Sequence, residues 1–317
     1  MSKIGVSIVI LLFALACTTK TDKMDVSDIK TKVVVDRFDK KFYHANKSSL
    51  QELKSQYPYL FPVANDSIWL KKMNDSTEMA LFKKADSVFS DFDETKNQIS
   101  NLYKHVKYYF PAFKEPKMIT LITDLDYKNR VIYADSLLLV SLDLYLGKNS
   151  NVYNDFPKYI SQNFEKSQLV VDIAKSFADN IFAPQRNRQF LYSMINEGKK
   201  MYLIDVFLPE VSDAHKMGYT IDKMDWVQLN ETPIWKYFIE NELLYSTDTD
   251  LYERFIAEAP FSKFYIDIDK ESPGKIGVWL GWQIVRSYMQ NNNVTLQQLL
   301  QTDAQEVFKK SKYKPKK

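Results

Sequence analysis

At 317 residues the chain can bury one large core or two ordinary ones, and its 45% hydrophobic and 26% charged usage excludes a collagen-like, disordered or multispan membrane protein. Lys and Arg exceed Asp and Glu by only 43 − 40 = 3, so charge makes no case for nucleic acid, and no recognition motif supplies one. Gly numbers 7, His 3 and Cys 1, which leaves no Walker A or dinucleotide loop, no disulfide scaffold, no zinc ribbon and no cysteine-nucleophile chemistry.

The N-terminus reads MSKIGVSIVILLFALAC, with Lys3 as a short positive region and Ile4 to Ala16 as an apolar run. That run is shorter than the ~20 residues a membrane-spanning helix needs, and it suits a signal peptide. Ala14 and Ala16 precede Cys17, and the chain turns polar at once after it. The arrangement resembles the lipobox of bacterial lipoproteins, in which the cysteine is diacylated and becomes the mature N-terminus. Leu15 departs from that pattern, which prefers leucine three residues before the cysteine. The alternative is an ordinary secretory signal with an incidental cysteine. The resulting division is a signal peptide at 1–16, a lipidated cysteine and polar tether at 17–30, and one globular domain at 31–317.

Ile29 to Phe38, rich in β-branched residues, predicts a strand. Ser49 to Glu52 and Asp75 to Glu78 both carry capping-box spacing, predicting helices that end at Pro58 and near Asp91. Thr95 to Phe110 places Ile99, Leu102, Tyr103, Val106 and Phe110 on one stripe, leaving His105 off it on the surface. The period then changes. Lys117 to Leu125 and Arg130 to Leu146 read as adjacent antiparallel strands. Helices follow at Phe164 to Phe182 and Gln189 to Leu208, and near 224–245, 248–258, 275–291 and 295–309. The class is α+β, helix-dominated: a small antiparallel sheet, then a helical body.

Chemistry-bearing patterns are few. His44, His105 and His215 lie far apart, with no H-x-x-x-H pair to offer a metal two imidazoles from one helix. No G-x-S-x-G elbow exists. Three carboxylates interrupt apolar helical runs: Asp172, Glu197 and Asp205. Buried carboxylates need partners, and Lys175, Arg186, Arg188, Lys199 and Arg286 are the candidates. Either these form salt-bridged core networks or they mark a remnant site or binding cleft. Gly277 and Gly281 stand four apart and share a helix face at a cost of ~1 kcal/mol each. Two readings fit them: close backbone packing inside the core, or a groove for a partner peptide. Trp279 and Trp282 beside them are aromatics of the kind used at interaction surfaces, or else core. No cofactor-binding or catalytic set emerges. The Lys-rich end from Lys309 to Lys317 reads as a solvated tail.

Several long segments, with the lipobox, resemble the gliding motility lipoprotein family GldB: SQLVVDIAKSFADN (167–180), FLYSMINEGKKMYLIDVFLP (190–209), ETPIWKYFIENELLYSTD (231–248), RFIAEAPFSKFYIDIDKESPGKIGVWLGWQIVRSYM (254–289) and KSKYKPKK (310–317). The resemblance covers nearly the whole mature chain. That family looks distantly like zincin-type zinc peptidases, in which strands precede a helix bearing HExxH and a glutamate follows on the next helix. Here the corresponding helix reads Val170-Val171-Asp172-Ile173-Ala174-Lys175-Ser176, without either histidine or the glutamate, and only Glu197 remains on the next. The resemblance therefore implies a zincin-like, degenerate metallopeptidase fold with no bound zinc and no catalytic residues. It further implies a lipid-anchored protein of the cell envelope, facing the periplasm and working with other gliding and secretion components. An unorthodox hydrolase around Asp172, Glu197 and Asp205, and a ligand-binding envelope lipoprotein, are the competing classes.

Overall fold

The computed structural model describes residues 24–316 except 135, 185 and 268. The signal segment and Cys17 lie outside the described residues. The N-terminal third is helical: α1 (Phe38–Tyr43), α2 (Leu50–Gln56), α3 (Asp66–Met73), α4 (Ser76–Val88) and α5 (Asp93–Tyr109). Only Val35–Asp36 of the expected first strand is β (β1). From Phe38 the apolar spacing switches to helical, and Phe38, Phe42 and Tyr43 bury one face of α1. Asp75 caps α4 through the Thr77 and Glu78 amides at 2.9 and 3.1 Å. Ser49 makes no such cap, because its backbone is already helical and its hydroxyl accepts the Asn46 amide instead.

Three further strands follow: β2 (Lys117–Leu121), β3 (Val131–Ala134) and β4 (Leu137–Ser141). The sheet order is β1-β2-β4-β3. The expected antiparallel sheet is therefore a mixed one. β2 runs parallel to β4 in the register Lys117↔Leu137 to Leu121↔Ser141, and β1 runs parallel to β2. Only the β3–β4 pair is antiparallel. The segment 130–146 is not one strand but a hairpin followed by a 3-10 turn. Its second arm, with the fully buried Leu138 and Val140, takes the central place and leaves the half-exposed β3 on the edge.

The helical body begins with α6 (Lys158–Ser161), α7 (Gln168–Ile181) and α8 (Phe190–Phe207). It continues with α9 (Asp213–Met217), α10 (Ile221–Leu229), α11 (Glu231–Glu240) and α12 (Asp250–Phe255). It closes with α13 (Ile276–Asn291), α14 (Leu296–Gln301) and α15 (Ala304–Ser311). The expected helices at 224–245 and 295–309 are each broken in two. Asn230 leaves helical geometry between α10 and α11, and Asp303 accepts the Gln305 amide to start α15 afresh. Pro233 is tolerated because it falls in the first turn of α11.

α8 is apolar around most of its circumference and forms the axis of this half, packed between α7, α13 and α15. The crossing with α13 is very close. A Cβ on Gly281 would stand 1.9 Å from the Met194 carbonyl oxygen, and one on Gly198 would stand 2.4 Å from the Gly281 carbonyl. The Gly277/Gly281 face is thus a core contact, not an open groove. Trp279 and Trp282 are 2% and 0% exposed, so they belong to that core and present no interaction surface.

Candidate functional site

On α7, Gln168, Asp172 and Lys175 fall on one edge at helical spacing, while Leu169, Val171, Ile173 and Phe177 fill the core. Asp172 is buried at the junction with the sheet. It accepts the Tyr145 hydroxyl at 3.1 Å and the Gln168 amide at 3.4 Å. The Arg130 guanidinium, at the entry to β3, lies 3.2 Å away, and the Lys175 ammonium 3.6 Å. Lys175 was among the candidate partners. Arg130 was not, because nothing local ties residue 130 to a helix beginning forty residues later. Arg186 and Arg188 stand exposed in the loop between α7 and α8.

Glu197, on α8, is half-buried and pairs with Lys200 one turn on at 3.0 Å. The same ammonium reaches Asp179 of α7 at 2.9 Å, so Lys200 fastens the two helices together. Asp205, two turns further along α8, anchors a denser cluster. Arg286 of α13 grips it bidentately, Nε at 2.7 Å and Nη2 at 2.8 Å, and also pairs with Asp213 of α9. The Trp282 indole donates to Asp205 at 2.7 Å, and Lys216 of α9 donates at 2.8 Å. The guanidinium stacks on the Trp282 ring at 3.7 Å. Burial opposes the charge of Arg286, but Asp213 and Asp205 outweigh it and raise its pKa above the ordinary arginine value. The sequence marked Asp205, Arg286 and Trp282 separately, and the structure joins them.

Two clefts flank these groups. The larger, of about 600 Å³, is bordered by Asp205, Asp213, Arg286, Tyr202, His105 and Tyr313. His105, expected on the surface, is buried, its Nδ1 2.9 Å from the Asn101 carbonyl. Spacing along one helix could not show that α5 also packs on α7 and α8, or that the C-terminal residues Tyr313 and Lys314 border the same cleft as His105. The smaller cleft, of about 250 Å³, opens between α7, α8, α9 and the start of α13. Glu197, Lys200, Arg130, Lys175 and Lys275 border it, over an apolar wall of Met201, Ile204, Met217, Ile256 and Val278. Burial holds Lys175 below the ordinary lysine range against the pull of Asp172, and the nearby Lys275 and Arg130 cations push the same way as burial.

The three candidate carboxylates do not converge. Asp172 sits behind Arg130 and Lys175, Glu197 borders the smaller cleft, and Asp205 borders the larger. Among the described residues, no three His, Cys, Asp or Glu side chains gather where a metal ion could sit. Zinc does not fit at Asp172, whose neighbours are a guanidinium and an ammonium rather than lone-pair donors. What the smaller cleft offers is the reverse: positive N–H donors around an apolar pocket.

Fold and site together define a helix-dominated α+β protein whose three candidate carboxylates are held in separate ion pairs. The chain belongs to the family of the gliding motility protein GldB, whose family model it matches over residues 19–315. No curated protein and no solved structure matches it. Membership places the protein in gliding motility, among lipoproteins associated with the cell envelope. No described helix is long and apolar enough to cross a membrane.

Proposed function

We propose that the protein is a lipid-anchored, non-catalytic component of the envelope machinery for gliding, held at a membrane through Cys17 and facing the periplasm. One observation carries the non-catalytic reading. Asp172, Glu197 and Asp205, the carboxylates best placed to be a degenerate peptidase site, are each committed to separate ion pairs that brace α7, α8, α9 and α13. Family membership supports the place in gliding. The leader ending at Ala14-Leu15-Ala16-Cys17 supports the anchor, since two or three acyl chains at ~0.8 kcal/mol per buried CH₂ bind a membrane stably. Other envelope lipoproteins and secretion components are the partners this reading expects. A zincin-like ancestry, with the peptidase chemistry lost, fits the sheet that precedes the α7–α8 pair.

Metal analysis of the folded protein, purified without chelator and checked by circular dichroism, tests the reading. A zinc stoichiometry near zero, with no turnover of peptide libraries, is the expected result. About one zinc per chain would mean that Glu197 has found ligands elsewhere, and would restore a hydrolase to first place. Deleting the gene should abolish colony spreading; a deletion strain that spreads normally would remove the protein from the gliding machinery.

A further inference from the structure

Arg130, Lys175 and Lys275 come from three separate parts of the chain and border the same 250 Å³ cleft. Their present partners hold them loosely. Arg130 Nη1 is buried without a hydrogen-bond partner, and its nearest carboxylate oxygen, on Asp172, is 3.2 Å away. The Lys175 ammonium is 3.6 Å from Asp172. That of Lys275 is 3.6 Å from Glu258 and donates to the Met217 carbonyl at 3.2 Å. Lys200 and Lys216, which also border the cleft, are tied to carboxylates at 3.0 Å or less. Spare donor capacity is thus confined to three groups.

The donors of the cleft are unevenly engaged. Lys200 is shared by Asp179 and Glu197, whereas Arg130, Lys175 and Lys275 have only Asp172 behind them and the half-exposed Glu258 at the rim, each 3.2 Å or more away. A carboxylate entering among these three donors would take up their spare capacity with charge-assisted hydrogen bonds. The apolar wall of Met201, Ile204, Met217, Ile256 and Val278 lies in the same cleft. A carboxylate joined to an apolar side chain matches both halves. Lys275 carries a further sign. Its φ of +61° is left-handed, a conformation suited to glycine, and Gly274 stands beside it unused for the purpose. Strain kept at a residue whose side chain enters a cleft is the pattern of a binding position.

We infer that this cleft binds the C-terminal residue of a peptide, its carboxylate held by Arg130, Lys175 and Lys275 and its apolar side chain against the Met201–Val278 wall. The inference goes beyond the envelope role proposed above and does not depend on it. Isothermal titration of the full-length lipidated protein in neutral detergent micelles tests it, with acetyl-alanyl-alanyl-leucine as probe. Saturable binding is expected, weakened at least tenfold when the C-terminus is amidated. The K275G variant should bind at least tenfold more weakly while melting no lower than wild type, which separates lost binding from lost folding. E258Q, which removes the competing rim carboxylate, should bind more tightly. Absence of saturable binding, equal binding of acid and amide, or K275G binding as wild type would each overturn the inference. Inorganic phosphate binding as tightly as the peptide would overturn its assignment to a peptide end.

Discussion

A Cβ is unfavourable at both Gly281 and Lys275, six residues apart, so adding one at 281 and removing one at 275 should shift stability in opposite directions. At Gly281 the Met194 carbonyl occupies the space a methyl group would need. Gly281→Ala should therefore destabilise by about 3 kcal/mol, outweighing the ~1 kcal/mol that alanine gains in a helix. At Lys275 the left-handed backbone makes the native residue the strained one. Lys275→Gly should stabilise by ~1 kcal/mol. Chemical denaturation of the two variants reads both signs. The glycine spacing was legible in the sequence, because two glycines four apart inside an otherwise apolar helix admit few explanations. The strain at Lys275 was not, since Pro273-Gly274 offered a more obvious residue for the turn. A third residue carries a pH signature. Lys199 is fully buried, its ammonium donating to the Thr302 carbonyl at 2.5 Å and lying 5.3 Å from the Phe182 ring centre. Burial pushes its pKa down to about 8 against the pull of Asp303. Between that value and the unfolded ~10.4 the unfolded chain holds more protons, so stability rises with pH across this window, by up to about 3 kcal/mol. Measured from pH 8 to 10.5, the stability of wild type should rise relative to that of Lys199→Met; parallel curves would refute it.

Helices α7 and α8 were predicted to within a few residues, because each is a long apolar run between polar loops, striped in α7 and nearly all-round in α8. The sheet order was not. Pairing between strands is settled by which strand can be buried on both faces, and Leu137–Ser141 displaced its neighbour from the central position only through contacts distant in sequence. Ion-pair partners followed the same division. Lys175 lies one turn from Asp172 and Arg286 sits in a long apolar helix, and both were candidates; Arg130 and Lys216 lie on other short elements with no local sign of a buried partner. The Asp205–Arg286–Asp213 cluster is the main polar tie between α8, α9 and α13. Arg286→Met removes the cation from between two partly buried carboxylates and should cost about 3 kcal/mol. A fall in denaturation midpoint with unchanged slope would show that the loss is one of stability, not of compactness. A variant as stable as wild type would show the cluster to be dispensable.

At the scale of the whole molecule, the sequence made the family legible, and the structure places the three candidate carboxylates in separate ion pairs. Carboxylates that could be read as remnants of chemistry are those that brace the helical body, and the loosely held donors are Arg130, Lys175 and Lys275 of the smaller cleft. If the protein is anchored and non-catalytic as proposed, anchoring and carboxylate chemistry should separate cleanly in the cell. Colony spreading of a deletion strain carrying either Cys17→Ala or Glu197→Gln, with both proteins made at wild-type levels, measures this directly. Glu197→Gln should restore spreading, because glutamine keeps the shape of a half-buried side chain and loses one ion pair. Cys17→Ala should mislocalise and fail to restore it. A folded Glu197→Gln protein that leaves the colonies unable to spread, or full rescue by Cys17→Ala, would contradict the account.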